Sequence, residues 1–267
     1  MRTQVLLAMT FSTFMTFTSP AVAVVLDVID NNSSISIDTN SQDGLFTWNV
    51  DGVSHLSREW FWLRTSSDTQ ESSLDTLSLS SAATSGNTAT LSYNGTGFDV
   101  DLEYTLNGGA NGSGASQIRE DISLINTSGA PLTISLFSLS DFDLDGTSLD
   151  QQASGDAIGI TQGDGLVVAN VRPSLAGQAF QIALFDDLID SFNDSGLTNL
   201  DNSGSPTGLG DLQFAFQHNF TIPNGGNADL TLLKDISAVP EPGTIGLFVS
   251  GIFLLLIQRR FQRKAVC

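Results

Sequence analysis

Phe98-Asp99-Val100-Asp101-Leu102-Glu103-Tyr104-Thr105-Leu106 places an apolar side chain at every even position and an acid or threonine at every odd one. A pleated strand sends successive side chains to opposite faces, so this stretch reads as a strand with one face on a core and the other in water. Residues 118–125 repeat the pattern. Further strands are predicted at 33–39, 44–50, 88–93, 131–141, 165–171, 211–222 and 228–236, and the two best patterned extend over 98–106 and 117–126. Asn94-Gly95, residues 107–114, Ser128-Gly129, Asp145-Gly146 and residues 224–226 supply turns between them. Many short alternating strands in one domain predict a mainly β protein, an antiparallel β-sandwich.

One segment departs from period two. Ala179, Phe180, Ile182, Ala183, Leu184, Phe185, Leu188, Ile189 and Phe192 fall at i, i+3, i+4 spacing, with Asp186, Asp187, Asp190 and Asn193 opposite. The spacing predicts one amphipathic helix over 175–192, packed on the sandwich. Residues 66–85 and 197–210 are rich in Ser, Thr, Gly and Asn and read as loops.

The chain has 267 residues, 29 acids and 10 Lys or Arg, for a formal charge of −19. Its two ends differ from this body. Val5 to Phe17 is an apolar stretch after Met1-Arg2, and Pro20-Ala21-Val22-Ala23 closes it with an A-x-A site, so residues 1–23 read as a signal peptide. At the other end come Pro240-Glu241-Pro242, an uncharged run over 245–257, then Arg259, Arg260, Arg263 and Lys264. The two prolines hold Glu241 in extended, solvated chain. The run's 13 residues span roughly 20 Å as a helix, which crosses a ~30 Å hydrocarbon core with flanking residues and snorkelling arginines. The cations after it act as stop-transfer charges and place the C-terminus in the cytoplasm. The division is therefore 1–23 signal peptide, 24–238 ectodomain and 239–267 tail, the tail carrying one transmembrane helix.

The ectodomain alone keeps 28 acids against five basic residues, Arg58, Arg64, Arg119, Arg172 and Lys234. Such a balance repels nucleic acid and anionic lipid and argues against both as partners. Cys267, the sole cysteine, lies in the cytoplasmic stub, so the ectodomain has no disulfide and no thiolate chemistry.

The proline-flanked acid, apolar run and basic stub resemble the C-terminal signal of PEP-CTERM proteins. That resemblance implies recognition at Pro240, Glu241 and Pro242, and cleavage, by an exosortase of a Gram-negative bacterium. It also implies a precursor anchored in the inner membrane, then release to the cell surface or the exopolysaccharide matrix. The body is similar to a β-rich ectodomain type of the same proteins through Trp48-x-x-Asp51-Gly52-Val53, Glu59-Trp60-Phe61-Trp62-Leu63-Arg64, residues 141–146 and Gly210-Asp211-x-x-Phe214-Ala215-Phe216-Gln217. His218 stands where that type would carry an aromatic residue. The resemblance brings no catalytic residues with it.

Three features bear on chemistry. Asp141, Asp143 and Asp145 form a D-x-D-x-D-G string with Gly146, the first half of a calcium loop; the twelfth position is Gln152 where the loop uses Glu. The string admits either calcium or a solvated strand face, and no other cofactor is suggested. Trp48, Trp60 and Trp62 are the only tryptophans; Trp60 and Trp62 share one face of a strand and are candidates for a sugar-binding platform, or for core. His55 reads as a hydrated surface residue beside Arg58 and Glu59. No G-x-S-x-G, H-E-x-x-H or Walker string occurs, so the ectodomain is expected not to be an enzyme. The expectation is a structural or adhesive protein of the exopolysaccharide matrix or biofilm. The alternatives are a carbohydrate-binding module for extracellular polysaccharide and a glycan-active enzyme.

Overall fold

A computed structural model describes residues 24–204 and 208–239. The signal peptide, the transmembrane run and the sorting residues Pro240, Glu241, Pro242, Arg259, Arg260, Arg263 and Lys264 lie outside the described residues. Among those described, no helix is long and apolar enough to cross a membrane.

The chain builds two antiparallel sheets. β1 (Val25–Asp30), β2 (Ser33–Asp38), β3 (Leu45–Val50), β4 (Val53–Ser54), β5 (Arg58–Thr65) and β6 (Ser72–Ser73) enter the first. β7 (Ser78–Ser85), β8 (Thr88–Asn94), β9 (Phe98–Gly108) and β10 (Ser116–Asn126) form a meander in the second. β11 (Leu132–Asp141) returns to the first sheet, and β12 (Gln152–Asp156), β13 (Gly159–Gly163) and β14 (Val167–Pro173) to the second. β15 (Ala179–Leu184) and, after α1 (Asp187–Asn193), β16 (Leu212–Ile222) rejoin the first, and β17 (Asn227–Ala238) ends in the second. The resulting orders are β1-β2-β3-β5-β11-β16-β15, with β4 on β3 and β6 on β5, and β12-β13-β14-β17-β10-β9-β8-β7.

The nine strands read from period two all form. Two expectations are corrected. Residues 175–192 are not one helix: β15 occupies 179–184 beside β16, Asp186 turns in the left-handed region at φ 66°, and α1 has only seven residues. Ala179, Phe180, Ile182 and Ala183 are all buried. A short strand with both faces covered loses its alternation, and a mostly apolar run such as this one, broken only by Gln181, is not separated from a helix by period alone. Residues 66–85 are not all loop either, because Ser78–Ser85 pairs with β8 as an edge strand whose polar side chains face water.

The two sheets are covered differently. β5 is buried on both faces: α1 lies over it, with Phe192 5.3 Å from Trp62 and 5.1 Å from Phe137, ring centroid to centroid. β9 and β10 bury alternate residues only, so the outer face of the second sheet is open. In β16, His218 lies in an aromatic row, 6.4 Å from Phe216 and stacked 6.2 Å from Phe220. It fills the place of an aromatic ring and donates its Nε2–H to the Leu175 carbonyl at 3.0 Å.

The core between the sheets encloses a charged cluster. Lys234 on β17 contacts Glu120 on β10 at 2.6 Å and Glu59 on β5, and all three are essentially fully buried. Tyr104, fully buried with its hydroxyl unpartnered, shares the interior, and burial pushes its pKa well up. Burial also raises the Glu120 carboxyl well above its ordinary value and lowers the Lys234 ammonium well below its own, because a low-dielectric interior disfavours the charged form of each. The other basic residues of the body are also engaged: Arg58 with Asp43, Arg64 with Glu71, Arg119 with Asp121 and Arg172 with Asp235.

Candidate functional site

Trp60 and Trp62 do not form an exposed platform. Both are 0% exposed, Trp62 donating to Asn193 Oδ1 at 3.2 Å and Trp60 to Asp75 Oδ1 at 3.2 Å. A sugar cannot reach either ring, because α1 and the 74–76 turn cover what the first sheet alone would leave open. His55 is likewise buried, not hydrated. Its Nδ1 accepts the backbone N–H of Asp145 at 3.0 Å, and burial lowers its pKa.

The acidic string is rearranged. Asp141 ends β11 and Asp143 follows it, but Asp145 sits in a tight 3₁₀ turn at φ 54° and faces solvent. Its place is taken by Asp211, at the approach to β16. One carboxylate oxygen from each of Asp141, Asp143 and Asp211 lies within 4.8 Å of the others. Asp141 is 1% exposed, and neither of its carboxylate oxygens has a hydrogen-bond partner. Arg58 is its cross-strand neighbour, yet the guanidinium turns to Asp43 at 3.1 Å and toward Asp186 at 3.9 Å. Burial, then the charges of Asp143 and Asp211, push Asp141 up to about 7. Burial and the neighbouring Asp211 raise Asp143, and burial raises Asp211 against a hydrogen bond from Ser148. Sequence spacing missed Asp211 because it lies 70 positions away and reaches the cluster only through the pairing of β11 with β16.

A second feature lies on the open face of the second sheet. Strand register sets two polar rows across β8, β9, β10 and β17: Thr90, Glu103, Asp121, Thr231, and beside it Ser92, Asp101, Ser123, Asp229. They line an open groove of about 470 Å³. At ~4.8 Å per strand the rows run roughly 14 Å, room for a short oligosaccharide. Asp121 is fixed: Arg119 chelates it through two contacts of 2.6 Å, and Thr231 donates to it. Burial pushes Asp121 up, but these hydrogen bonds outweigh it and hold the carboxyl below its ordinary value. Ser123 donates to Asp229 at 2.7 Å. Asp101 and Glu103 stay exposed to solvent in the middle of the groove. The alternation of the 98–106 strand already displayed these acids; the partners on β10 and β17 needed the register.

Strand order, antiparallel pairing and one covered and one open sheet define an extended two-sheet sandwich. Neither a protein-family model nor a curated protein sequence matches the chain. Solved structures do share the fold. A bacterial glucoamylase complexed with acarbose aligns over 86% of this chain and 35% of its own, at 7% identity and a TM-score of 0.56. A GalM/aldose epimerase homologue of C. elegans aligns over 82% of this chain and all of its own, at 7% identity and TM-score 0.53. The Slr1438 protein of Synechocystis sp. PCC 6803 aligns over 85% and 100%, at 10% identity and TM-score 0.50. The chain thus spans about a third of the glucoamylase and the full length of the other two. At such identities the likeness shows the fold alone. It nevertheless overturns the expectation that the body is not an enzyme. That expectation rested on missing linear motifs, and the same fold makes up the full length of a GalM/aldose epimerase homologue, so the absence of such motifs does not exclude an enzyme.

Proposed function

We propose that this chain is an exported protein of the Gram-negative cell surface or extracellular matrix that engages carbohydrate in the groove of its second sheet. The observation that carries the reading is the groove itself: two register-aligned rows of carboxylates and hydroxyls on a solvent-facing sheet. Carboxylates accept charge-assisted hydrogen bonds from sugar hydroxyls, and Ser and Thr both donate and accept. The acidic walls favour neutral or amino sugars and repel uronates. The carbohydrate enzymes among the fold's relatives support the same class of ligand.

Titration of neutral gluco- and galacto-oligosaccharides by calorimetry is expected to give saturable binding. Asp101→Ala and Glu103→Ala should each weaken it about 10-fold, in line with the loss of one charged hydrogen bond. Analysis of the recovered sugars separates retention from turnover. No binding at millimolar sugar, or full affinity in the double variant, would remove the groove from consideration.

The tail supports delivery. Export, anchoring by residues 245–257 and exosortase processing beside Pro240, Glu241 and Pro242 are part of this proposal. Mass spectrometry of the exported protein from a strain with an active exosortase should find a C-terminus upstream of residue 245. An intact end at Cys267 would count against processing.

A further inference from the structure

We propose that Asp141, Asp143 and Asp211 bind one calcium ion. The ligand set differs from the one that the linear D-x-D-x-D-G string suggests, and the site is separate from the groove. Three carboxylate oxygens lie within 4.8 Å of one another, a spacing that one cation about 2.4 Å from each would satisfy. The donors are all oxygen, which selects a hard cation over a transition metal. His55, whose backbone carbonyl accepts the Asp143 amide, has its Nδ1 occupied by the Asp145 amide.

The buried carboxyl points most directly to a ligand. Asp141 is almost completely withdrawn from water with both oxygens unpartnered. Asp211 adds a third unpartnered buried oxygen, its Oδ1. Buried polar atoms are ordinarily hydrogen-bonded, and a buried charge is ordinarily paired or coordinates a metal. Arg58 could have paired with Asp141 but is held by Asp43. A divalent ion would convert three mutually repelling acids into a clasp between the end of β11 and the start of β16. An exported protein meets calcium at concentrations that even a weak site of this kind can use.

The test uses the full chain. Thermal unfolding in excess calcium against a chelator is expected to raise Tm by about 5–10 °C at 100-fold over Kd, with one ion per chain by calorimetry. Asp143→Asn combined with Asp211→Asn should abolish the response, and in chelator this variant should melt no lower than the parent, since repulsion has been removed. Asp145→Asn should keep the full response, because that side chain faces solvent and asparagine accepts its left-handed backbone. A parent without a calcium shift, a shift that survives in the double variant, or an equal shift with magnesium would each overturn the proposal.

Discussion

Replacing Lys234 with methionine is expected to destabilise the protein by about 3–5 kcal/mol, because the substitution removes the buried nitrogen that contacts both Glu59 and Glu120 and leaves their carboxyl groups without that partner. Tm should fall by on the order of 10 °C. Adding Glu59→Gln and Glu120→Gln to that variant should recover more than half of the loss, since an amide both donates and accepts and the two side chains can then satisfy each other. If Lys234→Met melts with the parent, the cluster does not stabilise the core. The same cluster sets a pH dependence. Burial raises Glu120 in the fold, so folding retains a proton that the unfolded chain releases above its ordinary pKa of about 4.3. That contribution is fully present below pH ~4 and is lost as pH rises toward the raised folded value, by up to ~1.4 kcal/mol per pH unit. Glu120→Gln lacks this loss. Its stability relative to the parent should therefore climb as pH rises above about 5 in urea titrations; a flat difference would contradict the assignment.

Trp62→Ala should cost a further 3–5 kcal/mol or so, the range for deleting a large buried aromatic. The ring contacts Phe192 and its Nε1–H reaches Asn193, so the variant loosens α1 from β5 as well as opening a cavity. Chemical denaturation should show a lower midpoint, while carbohydrate affinity per folded molecule stays unchanged. A stable Trp62→Ala protein that loses sugar binding would instead return this ring to the binding surface.

Legibility followed burial. Strands with one wet face, such as β9 and β10, declare themselves by alternation. β5 and β15 do not, because cover on both faces erases the period, and an apolar string such as 179–185 then fits a helix equally well. Lys234 was legible in phase though not in role: it shares a face with Leu230, Leu232 and Ile236, just as Glu120 shares one with Ile118, Ile122 and Leu124. A charge in an apolar phase is a mark of a buried partner, but only the packing of the two sheets says which. The acidic cluster was half legible. Asp141 and Asp143 are adjacent in the string, whereas Asp211 arrives by strand pairing and Asp145 leaves through a backbone turn.

All five cations of the body have carboxylate partners, and that has a colloidal consequence. Toward any neighbour the body behaves largely as a polyanion, since among the described residues every cation already faces a carboxylate. Copies in dilute salt repel over a screening length of about 10 Å at 0.1 M. A crowded layer of them would act as a cation exchanger, swelling as salt falls and tightening when multivalent ions enter.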